Sequence, residues 1–375
     1  MKNVVIAGYC RSPFTPAYKG QLTKIRPDDL AAQVVKGLLN KTGVNPNDIE
    51  DLILGCAFPE GEQGLNVARL IAFLADLPIS VAGMTLNRFC GSSMQAIHIA
   101  AGAIQMNAGD AFICGGVESM TRIPMGGYNF MPNPGLYETF PQAYIGMGDT
   151  AENLARQYHI DRIDQEAFAL MSQRKAHAAQ QQGYFFDEIV VIGAVDRDGC
   201  LRPDSTPAGL AQLPPAFQAN GSVTAGTSSP LTDGAAAVLV CSEDYADANG
   251  LAKLARIKAT AVSGCAPEIM GIGPVAATNK ALKRAGLELE DIDIVELNEA
   301  FAAQSIAVLK AMPIPLTKLN IDGGAIALGH PLGATGARIT GKAASLLCRE
   351  NKRYALATQC IGGGQGIATI LEAIS

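Results

Sequence analysis

The sequence predicts an α/β protein built from two related halves with a looped insertion between them. Three observations carry this reading. Strand-like and helix-like stretches alternate through both ends of the chain, the pattern of an α/β fold. A segment near residue 43 recurs about 243 residues later, as fold duplications do. Residues 121–224 match neither copy.

In chain order, the apolar run Val4 to Ala7, closed by Gly8, reads as a buried first strand rather than a signal peptide. A helical stretch then ends at Gly43 and continues through Asn47-Asp48 into the apolar Ile49 to Ile53. Near the other end a helical stretch ends at Gly286 and continues through Glu290-Asp291 into Ile292 to Val295. Both read as helix, glycine C-cap, acidic turn and strand. The same offset brings Cys90 close to the His330 loop, and Cys114-Gly115-Gly116 close to Cys360-Ile361-Gly362. Two copies placed back to back would bring equivalent turns to one shared face; chance similarity of two α/β units is the alternative. Met84 to Leu86 reads as a strand end, and Gly91 to Asn107 as a helix nearly free of charge, hence buried all round. Met120 to Pro141 is rich in Gly, Pro and Met and reads as a long loop. Asp149 to Tyr158 and Asp164 to Gly183 read as helices, and Arg202 to Pro215 holds four prolines. The domains expected are 1–120 with 225–250, an inserted loop domain 121–224, and 251–375.

Composition narrows the function classes. The 375 residues are 48% hydrophobic and 17% charged, enough for a large core. The net charge of -6, without a basic block, argues against nucleic-acid binding. No stretch is long and apolar enough for a membrane span. The nine cysteines form no CxxC pair, so no metal site is expected, and their odd number suits reduced thiols in the cytoplasm.

Three glycine-rich turns carry reactive side chains: Asn87 to Ser93 around Cys90, Gly329 to Gly333 around His330, and Cys360 to Gly364. Cys90 sits where a strand gives way to a helix. Unpaired N–H groups there favour a thiolate and can hold an oxyanion; the bland reading is a small buried hydrophobe. Of the four histidines, His98 falls in the apolar helix and reads as a satisfied core residue, while His159 and His177 fall in the polar insert. His330 lies in a bent loop from which an imidazole can take a thiol proton. Cys360 precedes a glycine run that fits neither a phosphate loop nor a dinucleotide fingerprint. Asn298, after the strand Ile292 to Glu296, reads either as a helix N-cap or as a donor to a developing oxyanion.

Taken in order, Asn87 to Ala96, Thr224 to Ser229, Pro267 to Gly271, Asn298 to Gln304, Gly323 to Arg338 and Cys360 to Gly366 resemble the thiolase family, over essentially the whole chain. The resemblance implies duplicated α/β halves layered αβαβα with an inserted loop domain. It implies reversible cleavage of a 3-ketoacyl-CoA by coenzyme A, a substrate rather than a bound cofactor, through a cysteine thioester. Cys90 would be the nucleophile, His330 its base and Cys360 the acid/base at the α-carbon. Asn298 would hold a water that stabilises the enolate with His330, and the N–H groups of Cys90 and Gly362 would form a second oxyanion hole. Glu299 would orient this set, Ser229 would meet the pantetheine arm, Met147 and Met270 would line its tunnel, and Arg202 would lie against adenine. Implied partners are acyl-CoA and CoA, a second copy or three more in a homodimer or homotetramer, its interface around the Cys114 region, and a β-oxidation enzyme.

Gly146 stands where short-chain biosynthetic members carry histidine, so the chain is more similar to degradative 3-ketoacyl-CoA thiolases. The alternatives are an acetyl-CoA acetyltransferase working in the condensing direction and a non-catalytic acyl-CoA-binding protein. A β-ketoacyl synthase would carry a second histidine where this chain has Cys360.

Overall fold

In the computed structural model, which describes residues 2–374, ten strands form one sheet. They are β1 (Val4–Arg11), β2 (Thr15–Pro16), β3 (Ile49–Gly55), β4 (Ala82–Leu86), β5 (Ala111–Ser119), β6 (Thr232–Ser242), β7 (Ala255–Gly264), β8 (Ile294–Leu297), β9 (Tyr354–Ile361) and β10 (Gln365–Glu372). The order is β4-β3-β5-β6-β1-β7-β10-β9-β8, with β2 on β6.

The sheet is two half-sheets meeting at one seam. Between β1 and β7 only Val5 and Ile6 pair, with Arg256 and Ala255. On either side the order mirrors itself: β3 and β5 run parallel in the first half, as β8 and β9 do in the second. The parallel edge strand β4 has as counterpart a single bridge from Val295 to Leu319. The repeat is visible at its 243-residue spacing: the helices Ser92–Gln105 and Thr335–Arg349, and the strands β5 and β9, begin at equivalent positions. Gly43 and Gly286 end the preceding helices at φ of 67° and 66°, left-handed angles that glycine adopts without steric cost.

Apolar side chains define five layers. The helix Pro27–Thr42 packs with Val67–Leu74 on the outer face of the first half-sheet. The helices Ser92–Gln105 and Thr335–Arg349 share a cluster with both half-sheets and form the middle layer. The helices Gly273–Ala285 and Ala302–Ala311 cover the outer face of the second half. Close approach in the middle depends on glycine: a Cβ on Gly336 would lie 2.7 Å from the Met94 Cβ. The middle layer puts the N-termini of its two helices, and so the turns before them, at one place.

Two expectations need correction. The helix after Cys90 is not buried all round, because Gly102 and Gln105 are exposed along one edge. Cys114 offers no interface: it lies on the central strand β5, fully buried, with its thiol donating to the Ala96 carbonyl. The apolar exposure of this half lies instead beside the edge strand β4, at Leu65, Phe73, Leu74 and Ile79. The Met120 to Pro141 stretch contains one short helix, Pro134–Thr139, whose start is capped by the Asn133 side chain. No helix among the described residues is long and apolar enough to cross a membrane.

Candidate active site

The nucleophile candidate occupies a strained turn. Phe89, just before Cys90, has a φ of 43°, unusual for a bulky residue. Side chains hold it there. Asn87 accepts from the Phe89 N–H at 2.7 Å and donates to the Ala57 carbonyl at 2.9 Å. The Ser92 hydroxyl accepts from the Arg88 N–H at 2.8 Å and donates to the Phe89 carbonyl at 2.6 Å. From the other half, the Gln359 side-chain amide donates to the Cys90 carbonyl.

The Cys90 thiol faces two backbone N–H groups, those of Gly362 and of Cys90 itself, which favour the thiolate. Burial outweighs them and pushes the thiol up to about 11. The expected N–H groups are in place, and the apolar surroundings, with no cation beside the sulfur, oppose them. Its neighbours are Ala17, Ala57, Met120, Leu332 and Phe58.

His330 follows Gly329, whose φ of 103° makes the bend. Its N–H donates to Thr232 Oγ1 at 3.0 Å. Ring Nδ1 lies 2.7 Å from Thr335 Oγ1, and that hydroxyl donates its one proton to the Pro331 carbonyl at 2.9 Å. The hydroxyl therefore accepts from Nδ1–H, which leaves a lone pair on Nε2. Asn298 Nδ2 stands 3.3 Å from that Nε2. Burial, and then the charge of Arg338, lower the imidazole to about 3, so it is neutral near pH 7. A neutral thiol and a neutral imidazole whose Nε2 lone pair is met only by the Asn298 amide, at 3.3 Å, can exchange a proton when a substrate arrives.

Asn298 follows β8, anchored by its N–H on the Thr358 carbonyl at 3.0 Å. Its Oδ1 is buried and makes no hydrogen bond to protein. An N-cap would spend this oxygen on the following helix, so the geometry favours the alternative reading. Glu299 points away: its carboxylate accepts from Ser172 at 2.6 Å, Asn320 at 2.7 Å and the Ile326 N–H at 3.2 Å. It ties the insert to the loop before His330.

Cys360 ends β9. Burial, then the nearby Cys90, raise its thiol well above the ordinary value. It shares an apolar cluster with Met270, Ala300 and Phe301, and Met147 packs against that cluster. A Cβ on Gly362 would stand 3.4 Å from Met147 Sδ and 3.6 Å from Phe89 Cδ2. Gly363 and Gly364 follow at φ of 77° and 81°. Ser229, half-buried, donates from both its N–H and its hydroxyl to the Ala300 carbonyl, each at 3.0 Å. Arg202 is exposed on the insert, its backbone N–H donating to Gln173. The two thiols, Gly362, Met147 and Met270 thus lie together, His330 pairs with Asn298 on the turn that leads into the Cys360 cluster at Ala300, Glu299 and Ser229 lie one step behind, and Arg202 is peripheral.

Four residues of this neighbourhood escaped the sequence reading. Thr335, Thr232 and Gln359 hold the imidazole or the nucleophile turn. Glu118, fully buried, accepts from the Ala57 N–H at 2.9 Å and the Gly333 N–H at 2.8 Å, joining the His330 turn to the loop after β3 whose Ala57 carbonyl holds Asn87. A lone carboxylate ending the apolar strand β5 was the available signal; the other three carry none. The cleft of about 450 Å³ lined by Lys24, Arg26, Gln33, Lys36 and Leu74 contains none of these groups and lies on the outer helices. Among the described residues no group of three or more His, Cys, Asp or Glu could hold a metal.

Comparison with known proteins matches this geometry to a family. The model for the thiolase N-terminal domain matches residues 4–244, and that for the thiolase C-terminal domain matches residues 251–373. The chain belongs to the thiolase family. It is 46% identical to the 3-ketoacyl-CoA thiolase of Bacillus subtilis (strain 168), over 99% of this chain and 100% of that one. It is 50% identical to the 3-ketoacyl-CoA thiolase of Vibrio cholerae (El Tor Inaba N16961), again over 99% and 100%. The crystal structure of human mitochondrial 3-ketoacyl-CoA thiolase superposes with a TM-score of 0.92 at 38% identity, covering 100% of this chain and 99% of that one. The same human thiolase in complex with CoA gives 0.93, also at 38%, covering 100% and 98%. The duplicated thiolase fold is therefore the architecture expected from the sequence, with its seam and layers as described.

Proposed function

We propose that the chain is a 3-ketoacyl-CoA thiolase, an acetyl-CoA C-acyltransferase of the degradative type. The observation that carries this is the convergence of two buried thiols, the Nε2 lone pair of His330 and the Gly362 N–H. His330 takes the Cys90 proton, and the sulfur attacks the 3-keto carbon while the N–H groups of Cys90 and Gly362 hold the oxyanion. The C2–C3 bond breaks, leaving an acyl thioester on Cys90 and the enolate of acetyl-CoA. A water on Asn298, with His330, stabilises that enolate, and Cys360 protonates its carbon. Coenzyme A then gives its thiol proton to the Cys360 thiolate and takes the acyl group, and His330 returns its proton to the Cys90 sulfur as it leaves. Two acid/base groups serve because the proton transfers occur at different atoms.

Coenzyme A binds as a substrate, with residues 121–224 covering it between the halves 1–120 with 225–250 and 251–375. Met147 and Met270 line the pantetheine tunnel, Ser229 meets the arm and Arg202 lies against adenine. The reading for Ser229 is supported by its half-exposed place beside Ala300, at the edge of the Cys360 cluster. The open edge of β4, with its exposed Phe73, Leu74 and Ile79, suits a second copy and a homodimer or larger symmetric assembly. Nine unpaired cysteines suit the cytoplasm. The substrate's ketone implies a partner reaction that oxidises a 3-hydroxyacyl-CoA.

Brief exposure to acetyl-CoA or acetoacetyl-CoA, followed by peptide mass spectrometry, tests the reading. One acetyl group on the Cys90 peptide, released by free CoA, is expected. Cys90→Ala should abolish turnover with the fold intact. Cys360→Ser should still accept the acetyl group but lose deuterium exchange at the α-carbon. No adduct with these donors or with a long 3-ketoacyl-CoA would leave only a binding role.

A further inference from the structure

Two elements must be held in register for the imidazole to work. Asn298 belongs to the turn after β8, whereas Thr335 begins the helix Thr335–Arg349. His330 hangs between them, 3.3 Å from one and 2.7 Å from the other. Neither contact fixes the spacing of strand and helix, since a side-chain hydrogen bond tolerates a shift of several tenths of an ångström.

Two residues before Asn298, β8 presents Glu296; three residues after Thr335, the helix presents Arg338. Their side chains meet at 2.8 Å between Arg338 Nη1 and Glu296 Oε2, at 2% and 1% exposure. The pair is poorly arranged for stability. Glu296 Oε1, Arg338 Nε and Arg338 Nη2 make no hydrogen bond to protein, and neither does the buried hydroxyl of the adjacent Tyr9. Buried polar groups are nearly all satisfied in folded proteins, and an under-satisfied buried ion pair is often no better than apolar residues of the same volume. Such a pair therefore calls for another explanation.

We infer that Glu296 and Arg338 are positioning residues that hold the β8 turn and the Thr335 helix at the spacing the His330–Asn298 couple needs. The pair crosses between the two elements that grip the imidazole, one short step from each grip. Its charge acts in the same sense: Arg338 disfavours protonation of His330 and keeps the base uncharged. The groups facing Glu296 are Arg338, Lys342, Asp322 and Glu188, so the carboxylate itself sits in a mixed field.

This rests on the roles proposed above for His330 and Asn298, so His330→Ala is the reference. Arg338→Met/Glu296→Met removes both charges at similar volume and should fold with a thermal midpoint near that of the native protein. Loss of register should nonetheless lower kcat roughly 10- to 100-fold, with KM for the acyl-CoA changed less than about threefold. A purely structural pair predicts recovery of kcat along with the midpoint. Arg338→Lys keeps charge and bulk but has a shorter reach and no fork, and should lose roughly tenfold in kcat at an unchanged midpoint. Glu296→Gln, which still accepts from Arg338, should keep at least about half of kcat.

If the double variant is folded and turns over within threefold of the native protein, the inference is overturned. If the double variant does not fold, native turnover in Arg338→Lys overturns it instead. Native activity in His330→Ala would remove the site reading itself, whereas an inactive His330→Ala beside a fully active double variant removes only the role of the pair.

Discussion

Replacing Thr335 by valine probes the tautomer on which the proposed base depends. Valine has nearly the same shape, and position 335 is fully buried, so packing is preserved. What is lost is one hydroxyl with two bonds. The Pro331 carbonyl remains satisfied, because the backbone N–H groups of Ala334 and Thr335 also donate to it, each at 3.0 Å. The whole cost therefore falls on the imidazole. Its Nδ1–H either stays unpaired in a buried site, at about 1–3 kcal/mol, or moves to Nε2, where no lone pair then faces the thiol. At about 1.4 kcal/mol per tenfold, kcat should fall roughly 5- to 150-fold. Steady-state thiolysis of acetoacetyl-CoA and single-turnover acetylation of Cys90 should fall together, with KM little changed, and Thr335→Ser should restore both. A Thr335→Val enzyme within twofold of native kcat would refute the tautomer argument.

Other perturbations test the fold and its protonation. Gly336→Ala should destabilise by about 1–3 kcal/mol, seen as a lower urea midpoint, because the new Cβ meets Met94 backbone in a layer that cannot yield. His98 bonds Thr369 at 2.8 Å and burial lowers its ring to about 3. A depressed histidine contributes stability that is complete above its unfolded value and lost as pH falls below it. Between about pH 6.5 and 3 the unfolded chain thus binds the extra proton. His98→Gln should flatten the decline of urea-unfolding free energy over that range relative to the native protein, and parallel curves would contradict it. Asn298→Ala should lower kcat by roughly 100- to 1000-fold if its amide supports the enolate, measured as α-carbon exchange.

Much of the site was legible because its chemistry is local. A cysteine in a glycine turn before a helix, a histidine flanked by glycines and a cysteine before a glycine run each identify themselves within a few residues. The duplication was legible for a related reason: Gly43 and Gly286 answer to the same backbone demand, so the same residue type recurs at the same spacing. Thr335 and Gln359 were not legible, since a hydroxyl or an amide on a regular element announces nothing until a partner from another segment arrives. The burial that opposes the Cys90 thiolate was not legible for that same reason. Its helix start and N–H groups follow from local sequence, while the apolar enclosure by Ala17, Ala57, Met120 and Leu332 comes from four separate segments.

By itself, the sequence determined the α/β class, the repeat, the reactive residues and the family they resemble, because these depend on short-range periodicity and turn chemistry. The tertiary structure alone decided which turns meet, which ring nitrogen of His330 carries the proton and how far burial moves each thiol. It also decided that Glu296 and Arg338, 42 residues apart, lie face to face. Those properties depend on distances between segments remote in sequence and on the exclusion of water around them, which arise only when the two halves close on one another.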